Sequence, residues 1–182
     1  MTFANFLTVL RLAVIPFFIM ALVYDRPRVA LWLFLAAGIT DILDGFIARY
    51  FKQQTALGAF LDPAADKLML TSTYVTMAIP ATGLVFTIPA WLPVLTISRD
   101  VVIVLLTLML YLTYGIRNFP PSLPGKVTTL FQISYAVGIL LKNAYGLPDW
   151  LLTFLLWSAG FLTVFSGLHY IWRMKVMIRG TA

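Results

Sequence analysis

The sequence predicts an all-α integral membrane protein: six transmembrane helices in a bundle, as one domain over residues 1–182, with a polar cavity near the cytoplasmic side. Three observations lead there. Hydrophobic residues make up 61% of the chain and charged residues 11%, with a mean hydropathy of +0.92. Soluble domains average about 45–50% apolar and about 25% charged, so lipid is the solvent that can accept this surface. Six apolar stretches of bilayer length are separated by turn-forming residues, and four of the seven acids crowd between Asp41 and Asp66.

A bilayer core needs about 20 apolar residues per helix, and each stretch supplies them. The first, Phe6–Tyr24, lacks a basic leader and a small-residue cleavage site, so it is expected to be retained as a helix, not removed as a signal peptide. Asp25-Arg26-Pro27 ends it, and Val29–Tyr50 follows with Asp41 and Asp44 toward its end. The third stretch, Leu57–Ile79, carries Asp62 and Asp66 near its start and stops at Pro80, Gly83 and Pro89. Trp91–Tyr114 is the fourth, closed by the break from Asn118 to Pro124. Pro124–Asn143 is the fifth, Gly146-Leu147-Pro148 makes the last turn, and Pro148–Met174 is the sixth. The alternation expected of a transmembrane β-barrel is absent.

Charge sets the expected topology. An internal N-terminus puts Arg49, Lys52, Arg117, Lys126, Arg173, Lys175 and Arg179 on one side and Arg26, Arg28 and Lys142 on the other; seven against three favours both termini inside. The net charge of +6 therefore reads as topology and contact with anionic lipid. No basic run interleaved with aromatics points to nucleic acid, and with no cysteine there is no disulfide, thiol nucleophile or Cys-ligated zinc.

Every acid is Asp, and a buried Asp costs about 2.5–3.5 kcal/mol to insert, so four unpaired would cost roughly 10–14 kcal/mol. That approaches the whole stability of a domain; something cationic must compensate. Asp41 and Asp44 share one helix face, as do Asp62 and Asp66, and a short connection makes their helices antiparallel neighbours. Both pairs then lie at one depth, near the inner surface. Facing carboxylates raise one another's pKa unless cations lie between them, and all-oxygen ligation suits Mg²⁺, Mn²⁺ or Ca²⁺. Two such ions could clamp a phosphoryl centre. A carboxylate relay for protons or ions would use the same residues, so spacing alone leaves catalysis and transport both open. Gly45, Ala48 and Gly58 strip bulk from these faces and let a ligand approach the backbone.

Asp41-x-x-Asp44-Gly45-x-x-Ala48-Arg49, then eight residues, then Gly58-x-x-x-Asp62-x-x-x-Asp66 resembles the signature of the CDP-alcohol phosphotransferase family at every defining position. Asn5-Phe6-Leu7-Thr8-Val9-Leu10-Arg11, Gly125-Lys126-Val127-Thr128-Thr129 and Ser166-Gly167-Leu168-His169-Tyr170 also look familial, so the likeness spans essentially the whole chain. The resemblance implies six spans, a homodimer in a bacterial or mitochondrial inner membrane, and an active site open to the cytoplasm. It implies transfer of a phosphatidyl group from CDP-diacylglycerol to an alcohol, with release of CMP. Asp41, Asp44, Asp62 and Asp66 would hold two divalent cations, Mg²⁺ or Mn²⁺, with Asp66 also the general base. Gly45, Ala48, Arg49 and Gly58, with Asn5 and Thr8, would form the CDP-lipid site.

The acceptor is read from finer likenesses. The run Phe60-Leu61-Asp62-Pro63-Ala64-Ala65-Asp66-Lys67 is similar to enzymes whose acceptor is glycerol 3-phosphate, whose own phosphate calls for basic residues. Arg99, Arg117 and Lys126 are the candidates, Arg117 being equally a positive-inside anchor and Arg99 having a structural ion pair with Asp100 as its alternative. Ser98-Arg99-Asp100-Val101 is closer in wording to the family's cardiolipin synthases, which makes phosphatidylglycerol the second acceptor expected. His169, the lone histidine, and Trp91, Trp150, Trp157 and Trp172 are expected in packing or interfacial belts. Lys67 could screen the carboxylates or snorkel as an anchor.

Overall fold

The computed structural model describes residues 3–50, 56–80, 82, 84–115 and 122–179. Among the described residues there are six helices: α1 (Phe3–Val23), α2 (Pro27–Tyr50), α3 (Ala56–Ala78), α4 (Trp91–Tyr114), α5 (Leu123–Tyr145) and α6 (Asp149–Arg179). No strand occurs among the described residues.

The turn chemistry explains the boundaries. Asp25 takes a left-handed φ of 54° just past α1, its N–H bonds to Leu22 O at 3.2 Å, and Arg26 N–H bonds to Ala21 O at 2.8 Å. This is a Schellman ending with Asp in the place usually taken by Gly. Pro27 then opens α2, where its missing N–H costs nothing. Gly115 (φ 65°) and Gly146 (φ 81°) close α4 and α5, each N–H returning to a carbonyl one turn back at 3.0 Å. Helix α5 starts before the expected Pro124 because Ser122 Oγ accepts from Gly125 N–H at 3.2 Å and so caps it. Helix α6 runs past the expected end at Met174, through Lys175 to Arg179, since basic residues suit a helix C-terminus.

The chain divides into two compact units. The first holds residues 1–88 and 136–147, and the second 89–135 and 148–182. In the first, α1 packs on both α2 and α3. Ala21, Ala30, Ala37 and Ala65 are buried among Phe18, Leu22, Phe34, Met69 and Met77, small residues permitting close helix approach. Phe18 and Phe34 meet with ring centroids 6.0 Å apart. Beyond α3, Ile88 N–H bonds to Met77 O at 3.0 Å, and the Asn143 side chain pairs both ways with the Phe86 backbone, at 3.1 and 2.9 Å.

In the second unit α4 packs on α6. The Gln132 amide of α5 donates to Thr163 Oγ1 of α6 at 3.0 Å and to Thr96 Oγ1 of α4 at 3.3 Å. Trp91 packs against Trp157, centroids 5.9 Å apart, and lies over Gly160, where a Cβ would come within 2.9 Å of the indole.

Among the described residues, two helices, over Trp91–Thr113 and Asp149–Val176, are long and apolar enough to cross a bilayer, and Leu7–Val23 is a shorter apolar helix. Large apolar side chains stand exposed along α4 (Val94, Leu105, Met109) and α6 (Phe154, Phe161, Leu168), the pattern of a lipid-facing surface. Helices α2 and α3 reach 24 and 23 residues, but their acids interrupt the apolar run.

Candidate functional site

Arg11 lies in the middle of α1 and is the largest of the fully buried side chains among the described residues, only 2% exposed. A guanidinium cannot be stripped of water without counter-charge. Its Nη2 lies 2.7 Å from Asp41 Oδ1, and its Nη1 donates to Asp66 Oδ1. Because α1 packs on both α2 and α3, one arginine joins the two acid-bearing helices. The carboxylates themselves stay open, 41% exposed at Asp41 and 50% at Asp66.

Asp44, Gly45, Ala48 and Arg49 follow Asp41 in the unbroken α2, Gly58 and Asp62 precede Asp66 in α3, and Asn5 opens α1. Their side chains lie outside the described residues, as does Arg117 altogether. Thr8 sits one turn before Arg11 and is fully buried. Among the described residues no three ligating side chains gather. Asp41 and Asp66 nonetheless fit a divalent cation. They are hard oxygen donors from different helices, they converge on one cationic group, and they remain open on their outer side.

Arg11, which the sequence offers only within the familial Asn5–Arg11 segment, is the side chain on which Asp41 and Asp66 converge. The signal was present: an intramembrane arginine demands acids, and the acids were already in hand.

A second polar group forms in the other unit. Arg99 of α4, 14% exposed, places Nη1 2.8 Å from Asp100 Oδ1 and Nη2 2.5 Å from Ser166 Oγ of α6. Its Nε is buried with no partner among the described residues. A Cβ on Gly125 would lie 3.2 Å from Nη2 and 3.0 Å from Ser122 Oγ, so the guanidinium passes close over the first turn of α5. Exposed Lys126 adjoins it. A guanidinium beside a helix N-terminus concentrates positive potential, which Asp100 offsets only in part. Arg99 is thus both an ion-pair partner and a candidate anion ligand. Ser166 stands in the sequence only within the familial stretch Ser166–Tyr170, and Ser122 carries no signal there. His169 stands between Phe165 and Trp172 at centroid distances of 6.4 and 6.0 Å, a packing position.

The profile of the CDP-alcohol phosphatidyltransferase family matches residues 1–165. A Haemophilus influenzae protein named CDP-diacylglycerol–glycerol-3-phosphate 3-phosphatidyltransferase is 35% identical over 169 residues, covering 91% of this chain and 89% of its own. A Yersinia pestis protein of the same name is 34% identical, covering 92% and 91%. A Mycobacterium tuberculosis protein named probable phosphatidylglycerophosphate synthase is 33% identical, covering 93% and 80%. The family uses divalent metals in general. With two carboxylates of the expected signature meeting at one point and a profile match over most of its length, the chain belongs to the CDP-alcohol phosphatidyltransferase family.

Proposed function

We propose that this enzyme transfers the phosphatidyl group of CDP-diacylglycerol to glycerol 3-phosphate, forming phosphatidylglycerophosphate and CMP. The observation that carries the reading is the convergence of Asp41 and Asp66, from two helices, on one buried guanidinium. The names of the three relatives support this acceptor over phosphatidylglycerol.

Asp41, Asp44, Asp62 and Asp66 would hold two divalent cations, Mg²⁺ or Mn²⁺. Bound there, such cations would supply positive charge to the diphosphate and favour CMP as the leaving group. Gly45, Ala48 and Gly58 leave room for the CDP moiety, Asn5 borders it, and Arg49 meets phosphate oxygens with its planar fork. Asp66 takes the proton of the acceptor hydroxyl as its oxygen attacks the phosphorus bearing diacylglycerol. The bond from that phosphorus to the CMP oxygen breaks, and CMP leaves with the electron pair. Arg99, Arg117 and Lys126 bind the phosphate of glycerol 3-phosphate. All six helices span the bilayer with both termini and the site on the cytoplasmic side, and the protein works as a homodimer in a bacterial inner membrane.

Purified enzyme in micelles tests this with labelled CDP-diacylglycerol and, in turn, glycerol 3-phosphate, phosphatidylglycerol, serine or inositol phosphate. CMP release should require glycerol 3-phosphate and stop on chelation by EDTA. Release driven by phosphatidylglycerol instead reassigns the acceptor, and release with none of the four overturns the proposal.

A further inference from the structure

We infer that Arg11 is a positioning residue for metal binding: from the protein interior it pins Asp41 and Asp66 so that their open faces form one cation-binding edge. The inference rests on the metal-site reading above. The exposures carry it. Arg11 is 2% exposed while the carboxylates it holds are 41% and 50% exposed, so the guanidinium lies behind them and a cation arriving from solvent meets the carboxylates first.

Both contacts engage Oδ1, each through a different terminal nitrogen of the same guanidinium. A rigid planar fork fixes the separation of its two partners in a way that a single ammonium cannot. Helix α1 packs on both α2 and α3, so Arg11 gives the two acids a common reference. Without it, two like charges on separate helices repel and part.

This role makes a prediction opposite in sign to simple electrostatics. Removing a positive charge beside a cation site should tighten cation binding by Coulomb's law. Removing a support that holds two ligands together should weaken it, as loss of outer-shell partners does, by about 10–100-fold.

The test measures Mn²⁺ binding to the full-length protein in micelles, without substrates, from the electron paramagnetic resonance signal of free Mn²⁺. Wild type is compared with Arg11→Gln, Arg11→Lys and Asp66→Asn. The expected result is binding weakened about 10–100-fold in Arg11→Gln and less in Arg11→Lys, with Asp66→Asn also weakened. Arg11→Lys keeps a buried cation and hence the fold, so its weakening stands as a test if Arg11→Gln does not purify as a folded protein. Unchanged or tighter binding in the Arg11 variants, with Asp66→Asn still weakened, overturns the inference alone. Undiminished binding in Asp66→Asn, or none in wild type, overturns the metal-site reading and the inference with it.

Discussion

Gly125 leaves the space through which Arg99 reaches Ser166: a Cβ at Gly125 would lie 3.2 Å from Arg99 Nη2, while Nη2 itself sits 2.5 Å from Ser166 Oγ. The guanidinium is pinned on its other side by Asp100 at 2.8 Å, so it cannot give way without loosening one of these bonds. Gly125→Ala should therefore displace it by a few tenths of an ångström. On the proposal that Arg99 binds the acceptor phosphate, the KM for glycerol 3-phosphate should rise about five- to tenfold, part of one charge-assisted hydrogen bond. The turnover number and the KM for CDP-diacylglycerol should change little. Steady-state CMP release checks the split, and an equal rise in both KM values would remove Arg99 from the acceptor site.

Asp66 is half-exposed although Arg11 holds one of its oxygens, which leaves it room to meet a substrate hydroxyl. Asp66→Asn keeps the volume and removes the basicity. Turnover should fall by about 10²–10⁴-fold, the range for loss of a general base, with protein yield and helicity preserved. A loss below about tenfold would give the proton to another group.

Metal should stabilise the fold as well as support the chemistry. A divalent ion at 100 times its dissociation constant adds about 2.7 kcal/mol by mass action. Thermal unfolding in micelles should shift upward by several degrees when Mg²⁺ or Mn²⁺ is restored after EDTA. The shift should vanish in Asp41→Asn, since Asp41 is one of the two converging carboxylates. A shift that survives this substitution places the metal elsewhere.

The positions of the helices were legible because lipid demands long apolar runs and each break carries a turn-former: Asp25 and Gly146 mark ends where the structure has left-handed backbone. The acid pairs were legible because helical spacing is local. What joins them was not. Arg11 lies 55 residues from Asp66, and Arg99 lies 67 from Ser166, separations that no periodicity reports. Pairing of this kind comes from tertiary packing. Only the rule that a buried charge must find its opposite hints at it beforehand. The Ser122 cap was missed for a different reason: the sequence places the break from Asn118 to Pro124, yet Pro is tolerated in a helix's first turn.

Gln132, 3% exposed, ties three helices through one amide, donating to Thr163 at 3.0 Å and Thr96 at 3.3 Å. In a soluble core, stranding such buried partners costs about 1–3 kcal/mol. In lipid the cost is smaller, because the unfolded helices also find partners, and interhelical hydrogen bonds average about 0.6 kcal/mol with a maximum near 1.7. Thr163 also keeps its bond to Ala159 O at 2.6 Å. Gln132→Leu should therefore lose roughly 0.5–1.5 kcal/mol in unfolding by sodium dodecyl sulfate titration, and the protein should still fold. The same helices carry Arg99, Gly125 and Ser166, so looser packing should raise the KM for glycerol 3-phosphate, while Mn²⁺ affinity, which the proposal assigns to Asp41 and Asp66, should stay unchanged. A stability loss above about 3 kcal/mol, or weakened Mn²⁺ binding, would contradict this separation of roles.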